Sequence, residues 1–139
     1  MNQFILTKQS ITEAELSMFE QGINLSLPES YKKHILQYNG GCPEEKDCFK
    51  GARVAHFYSI KYGKGNIEKV MNDFINLLPE KFLAFAYDGG GNPFCFDLSN
   101  GNNYGKVYYC PMDMGDVKPE FLANSFKEFM DGLTEDCDY

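Results

Sequence analysis

The sequence has no tryptophan and only two histidines, His34 and His56, among its 139 residues. With so few imidazoles, a zinc site would have to gather ligands from distant parts of the chain. Cys42 and Cys48, in "CPEEKDC", are separated by five residues, wider than the usual zinc-ligand pair, and no second pair follows. No apolar run approaches the ~20 residues of a membrane span. The first 27 residues contain Glu13, Glu15 and Glu20 and no unbroken apolar stretch, which speaks against a signal peptide. Basic excess is missing too, with 13 lysines and arginines facing 20 acids. Direct nucleic-acid binding needs a cationic patch to neutralise phosphates, so it is not expected. What remains is a soluble, cytoplasmic protein with no membrane partner, no cofactor and no metal.

Aromatic residues, by contrast, are abundant. Twelve phenylalanines and nine tyrosines can fill one large core, and a chain of this length buries roughly two-thirds of its unfolded surface as a single domain. The five cysteines, odd in number and without a secretory context, are expected as reduced thiols. The net charge of −7 is unevenly placed. Residues 1–112 carry 11 lysines and arginines against 12 acids. Residues 113–139 carry Lys118 and Lys127 against Asp113, Asp116, Glu120, Glu128, Asp131, Glu135, Asp136 and Asp138. Such a field attracts basic partners and speeds their encounter; it also serves solubility.

No repeat or low-complexity tract divides the chain. Thr12 and Glu15 form a capping box, with Ile11 and Leu16 placed as its hydrophobic staple, and start a first helix whose stripe continues through Phe19 and Ile23. A second helix begins near Pro28, buries Tyr31, Ile35 and Tyr38, and ends at "NGG", Asn39 to Gly41, as a left-handed cap. His34 lies beside that apolar face as a packed or half-exposed residue. "RVAHFYSI", Arg53 to Ile60, reads as a strand; His56 within it has no nucleophile or second histidine nearby. A third helix over 67–78 is capped by Asn66 and stopped by Pro79. Its stripe of Ile67, Val70, Met71, Phe74, Ile75 and Leu78 reads as core. Three strands follow, "FLAFAY", "PFCFDL" and "KVYYC". The first is apolar on both faces; the second alternates, with Cys95 and Asp97 opposite Phe94, Phe96 and Leu98. A last helix opens with a capping box of Ser125 and Glu128 and buries Phe126, Phe129, Met130 and Leu133.

The three glycines of "DGGGN", Asp88 to Asn92, raise the possibility of a phosphate loop. A phosphate loop needs a helix behind it and a Lys-Ser or Lys-Thr pair. Here Pro93 and alternating aromatics follow, and Asp88 would repel an anion, so the segment reads as a hairpin turn. "YGKGN", Tyr62 to Asn66, does precede a helix, but its glycine fingerprint is incomplete.

The order of "LPESYKKHILQYNGG", a strand, "FAYDGGGNPFCFDLSNGNNYGKVYY" and "SFKEFMDGL" resembles the SMI1/KNR4 family of the SUKH superfamily. The residues that carry the resemblance are Leu27, Pro28 and Tyr31; Asn39, Gly40 and Gly41; Asp88, Gly89, Gly91, Asn92 and Asp97; Gly105 and Val107; Phe126 and Phe129. Relatives often place a Trp or His before an acid after Gly-x-Val-Tyr, whereas this chain reads "YYCPMD", Tyr108 to Asp113. The resemblance implies an α+β fold and one SMI1/KNR4-like domain over residues 1–139. That domain would be a twisted, mostly antiparallel sheet packed by N-terminal helices, a middle helix and a C-terminal helix.

The resemblance also implies a cytoplasmic immunity protein that neutralises a cognate toxin domain by direct binding, without catalysis. The toxin would be a polymorphic or contact-dependent one, for instance a nuclease. An intracellular adaptor or regulator of cell-wall synthesis is the alternative. An enzyme would need Asp88, Asp97 and Asp113 to converge at one end of the sheet, whereas turn aspartates more commonly accept hydrogen bonds from loop amides. The residues assigned to partner binding are Asp113, Asp116, Glu120, Glu128, Asp131, Asp88, Asp97 and Tyr104. A homodimer is left open.

Overall fold

The computed structural model describes residues 2–113 and 115–137, and its chain forms an α+β domain. Its centre is a five-stranded antiparallel sheet in the order β5 (His56–Phe57), β6 (Phe82–Tyr87), β7 (Pro93–Asp97), β8 (Val107–Tyr109), β9 (Glu120–Ala123). Two small ribbons stand beside it, β1 (Phe4–Ile5) with β2 (Cys42–Pro43), and β3 (Cys48–Phe49) with β4 (Ala52–Arg53). The helices are α1 (Glu13–Ile23), α2 (Glu29–Gln37), α3 (Ile67–Asp73) and α4 (Phe126–Asp131).

Side chains alternate across a strand, so β6 and β7 present two faces. Phe85 and Phe96 share one of them and stack with ring centroids 4.3 Å apart. Tyr31 of α2 meets Phe96 edge-on at 5.0 Å, and Phe126 and Phe129 of α4 meet Phe85 edge-on at 5.7 and 5.6 Å. Offset and edge-to-face pairs of this kind add to the stabilisation that burial already supplies. Ala84 lies on the other face, where its N–H approaches Met71 Sδ of α3 at 3.4 Å. Both faces are therefore covered. Cys95 and Asp97, on the face opposite Phe94 and Phe96, are buried as well.

The local signals at helix starts are present, with one change. Thr12 and Glu15 close the expected capping box, and Ile11 and Leu16 are both buried. Ser125 accepts from Glu128 N at 3.0 Å, but the Glu128 carboxylate turns back one residue further, to the Asn124 N–H. Pro28 is the cap of α2 and stands just outside its first turn.

Other expectations change once distant parts of the chain meet. The strand expected over 53–60 is split between β4 and β5, because Val54 N–H bonds back to Asp47 while Ala55 and Tyr58 bond across to β6. The helix expected over 67–78 stops at Asp73. Of its stripe only Ile67 is buried; Val70, Met71, Phe74 and Leu78 are partly covered and Ile75 is 71% exposed. β9 and the two ribbons were not evident as strands.

Asn39 also has a different part from the one expected. Tyr38, extended, ends α2, and the Asn39 side chain turns inward. Its Nδ2 donates to Gln9 O (2.8 Å) and Ile60 O (3.0 Å), and its Oδ1 accepts from Ile60 N (2.8 Å). Gly41 follows with φ +84, and a Cβ there would lie 2.4 Å from Ile5 O.

The cysteines overturn the expectation of reduced thiols. Cys48 and Cys137 form a disulfide, with Cα atoms 5.3 Å apart, while Cys42, Cys95 and Cys110 are free. The tertiary reason is a reciprocal backbone bridge, Cys48 N to Thr134 O (3.0 Å) and Thr134 N to Cys48 O (2.8 Å), which lays the segment after α4 against β3.

Three expected outcomes follow from these contacts. Asn39→Ala would leave the Ile60 amide and the Gln9 carbonyl without their partners, while Ile60 O keeps its bond from Tyr62 N, and should cost about 2–4 kcal/mol. The Tyr31 hydroxyl is buried with no partner among the described residues, so Tyr31→Phe should leave stability unchanged or raise it by about 1 kcal/mol. Urea melts of the two variants check this; a Tyr31→Phe loss as large as that of Asn39→Ala would contradict it. Closing a loop across 89 residues constrains the unfolded chain strongly, so Cys137→Ser should lower stability by about 2–4 kcal/mol. Wild type melted in dithiothreitol should match that variant, and a melt unmoved by reductant would refute the bridge.

Candidate functional site

At the end of β6 the chain reverses through Asp88–Asn92. Asp88 N–H bonds Asn92 O at 3.0 Å and Gly91 N–H bonds Asp88 O at 3.1 Å. Gly91 sits at φ +85, where a side chain is strained, whereas Gly90 does not. The Asp88 carboxylate is the hub of the turn. Its Oδ1 accepts from Gly90 N (3.0 Å) and Asn92 N (2.9 Å), and its Oδ2 accepts from the Tyr109 hydroxyl. Asn92 Oδ1 in turn accepts from Met112 N at 2.8 Å. The hairpin and the β8–β9 loop are thereby bound into one frame.

Partial burial alone would raise the Asp88 pKa, but the Tyr109 hydroxyl and the Asn92 and Gly90 amides outweigh it and hold the carboxyl below its ordinary value. The Tyr109 phenol is pushed up to about 12, by desolvation and then by its bond to Asp88. Asp88 is thus a structural anion. Its hydrogen bonds are those of a turn aspartate.

Asp88, Gly89, Tyr109, Glu120 and Leu122 form one wall of a shallow cleft of about 450 Å³. The β3–β4 ribbon forms the other, with Lys50, Gly51, Ala52 and Arg53. Asp113 and Asp116 are exposed on the β8–β9 loop at the same end of the sheet. Four of the residues assigned from sequence, Asp88, Asp113, Asp116 and Glu120, therefore share one end of the molecule.

The other four are elsewhere. Asp97 is buried at the opposite end of β7, where it accepts from Ser99 N (2.9 Å) and Ser99 Oγ (2.5 Å). Asp88, Asp97 and Asp113 consequently do not converge. Tyr104 donates to Ser26 O at 2.6 Å and walls a hollow of about 590 Å³ beside Glu20 and Lys81. Glu128 serves its helix cap, and Asp131 pairs with Lys127 at 2.6 Å. Asp138 lies outside the described residues.

Cations from distant segments also enter the acidic region. Lys50 Nζ reaches Leu122 O at 3.5 Å, Lys106 Nζ stands 5.8 Å over the Phe121 ring, and Arg53 lines the cleft while paired with Asp47 at 2.7 Å. A count confined to residues 113–139 could not register them. Among the described residues one trio of metal-type ligands lies together, Asp47, Cys48 and Cys137. Its two sulfurs are joined to each other and Asp47 is bonded to Arg53, so the trio offers no free thiolate.

Residues 10–132 match the model of the SMI1 / KNR4 family (SUKH-1). The chain is also similar to the SPbeta prophage-derived uncharacterized protein YokK of Bacillus subtilis (strain 168), at 25% identity over 150 residues covering 90% of this chain and 76% of that one. The matched region contains the hairpin and the cleft, and leaves out β1 and Cys137.

The turn makes its own test. Gly91→Val should cost about 1–2 kcal/mol through backbone strain, and Gly90→Ala distinctly less. Tyr109→Phe removes a bond that favours ionised Asp88. A depressed folded pKa supplies stability that is present above the unfolded value of about 3.9 and lost as pH falls through the folded one. The gap in melting temperature between wild type and Tyr109→Phe should therefore be full at pH 7 and close below about pH 4. A gap that does not depend on pH would remove Asp88 from this role.

Proposed function

Because the chain belongs to the SMI1/KNR4 family (SUKH-1), as its match over residues 10–132 establishes, we propose that it is a non-catalytic immunity protein. It binds a cognate bacterial toxin domain in the cytoplasm and blocks it by occupying its basic substrate cleft. The observation that carries this reading is the placement of Asp113, Asp116 and Glu120 around one end of the sheet, on the frame that Asp88 holds.

Rigidity is what makes that placement useful. Carboxylates on a mobile tail lose ordering entropy on binding, which offsets part of each contact. Here the Asp88–Tyr109–Asn92–Met112 bonds hold the hairpin and the start of the loop before a partner arrives. Glu120 is placed by its pairing with Tyr109 in the β8–β9 ladder. A fixed acidic rim opposite a nuclease-like basic cleft speeds encounter and fixes register. The prophage-derived origin of the Bacillus subtilis relative fits a protein used in conflict between bacteria. Catalysis has no part in the proposal, since Asp88 and Asp97 are engaged by loop amides.

The test is association kinetics with the toxin domain encoded beside the gene. Asp113→Asn with Asp116→Asn should slow association about tenfold at low salt and flatten its salt dependence. Glu120→Gln should act in the same direction. Asp131→Asn, on the far helix, should leave association unchanged, with circular dichroism confirming folding throughout. Wild-type rates and salt sensitivity in both acidic variants would place the interface elsewhere, and failure to bind any adjacent product would overturn the function.

A further inference from the structure

A second surface, of opposite charge, lies between α2 and α4. It is a groove of about 410 Å³ whose floor and walls include His34, Tyr38, Phe126, Met130 and Leu133. Lys33, Lys46 and Lys127 line it against one acid, Asp131. In a chain of net charge −7 this is a local reversal of sign. Lys127 is paired with Asp131, whereas Lys33 and Lys46 form no ion pair among the described residues. Glu44 and Glu45 precede Lys46 in the chain but do not line the groove.

His34 stands in the wall of the groove. Its ring is fixed by Phe4, Phe57 and Phe126, with centroids 4.6, 5.4 and 5.4 Å away. Its Nε2 is buried and has no hydrogen-bond partner among the described residues. A buried polar atom left unpaired costs stability unless something satisfies it. Desolvation holds the imidazole near pKa 4, so at neutral pH it is uncharged and can offer an N–H to an acceptor. The aromatic contacts prevent the ring from turning away to solvent without disturbing β1, β5 and α4 together.

We propose that the α2–α4 groove is a docking site for an acidic segment of a partner polypeptide, one that carries a carboxylate beside an apolar side chain. The apolar group lies on Phe126, Met130 and Leu133, and the carboxylate meets Lys33 and Lys46. Charge complementarity selects this occupant over a basic one, which the three lysines repel. The surface is separate from the cleft at Asp88, so the proposal does not depend on the toxin-binding reading.

A displayed random-peptide library, panned on the full-length protein, tests it. Enriched sequences should pair Asp or Glu with Leu, Phe or Met within two residues. Enrichment should vanish on Lys33→Glu with Lys46→Glu, both exposed positions whose folding is checked by circular dichroism. It should persist on Asp113→Asn with Asp116→Asn. The best peptide should shift the His34 ring resonances in NMR spectra, and its Asn/Gln counterpart should bind at least tenfold more weakly. Neutral or basic consensus sequences, survival of binding on the lysine variant, no enrichment, or an unmoved His34 signal would each overturn the proposal.

Discussion

The buried side-chain amide of Asn39 is the contact on which the arrangement of the other elements depends. It joins three separate segments, the residues before α1, the end of α2 and the stretch after β5. A primary amide in a protein interior is costly unless its donors and acceptor are paired. Here both N–H groups and the carbonyl are used, and Asn39 O adds a bond from Lys8 N at 2.8 Å. With α2 anchored at its C-terminal end, Tyr31 and Ile35 are held over the sheet, where they complete the aromatic core. The following Gly41 then makes physical sense, because Ile5 O comes too close to leave room for a Cβ. The Asn-Gly-Gly run is a clamp followed by a tight passage.

From that anchored sheet the molecule presents two chemically distinct surfaces. One end carries the acidic rim and the cleft shared with the β3–β4 ribbon. The α2–α4 side carries lysines around an aromatic floor. Both lie on elements tied to the core, Tyr109 and Asp88 in one case, His34 and Phe126 in the other. This matters for recognition, since a preorganised surface loses less entropy on association than a flexible one. The disulfide belongs to the same frame. It fastens the segment after α4 to β3, and Gly132 passes so close to Phe49 that a Cβ would lie 2.6 Å from its ring.

Charge is the property most altered by folding. The excess of acid in residues 113–139 is real as a count, yet its members separate into a loop, a strand, a helix cap and a helix face. Lys50 and Lys106 then arrive from other parts of the chain beside β9, at Leu122 O and the Phe121 ring, and Arg53 lines the cleft. Asp97 and Glu128 are engaged in backbone hydrogen bonds and have little to offer a partner.

What the sequence by itself determined are the features written within a few residues. Thr12 with Glu15, Asn66 and Ser125 cap helices because a side chain can reach a backbone N–H three residues away. The Asp88–Asn92 hairpin, the buried strand Phe82–Tyr87 and the α+β family pattern were legible for the same reason. Tertiary structure alone decided what depends on which distant segments meet. The Asn39 clamp, the Cys48–Cys137 bridge and the β1–β2 ribbon require partners tens of residues away, and β9 exists only by pairing with β8 across the loop between them. The stripe of α3 shows the limit most clearly: helical spacing announces an apolar face, but only the packing of α1 and β6 sets how much of it is covered. That is why Ile67 is buried and Ile75, eight residues on, faces solvent.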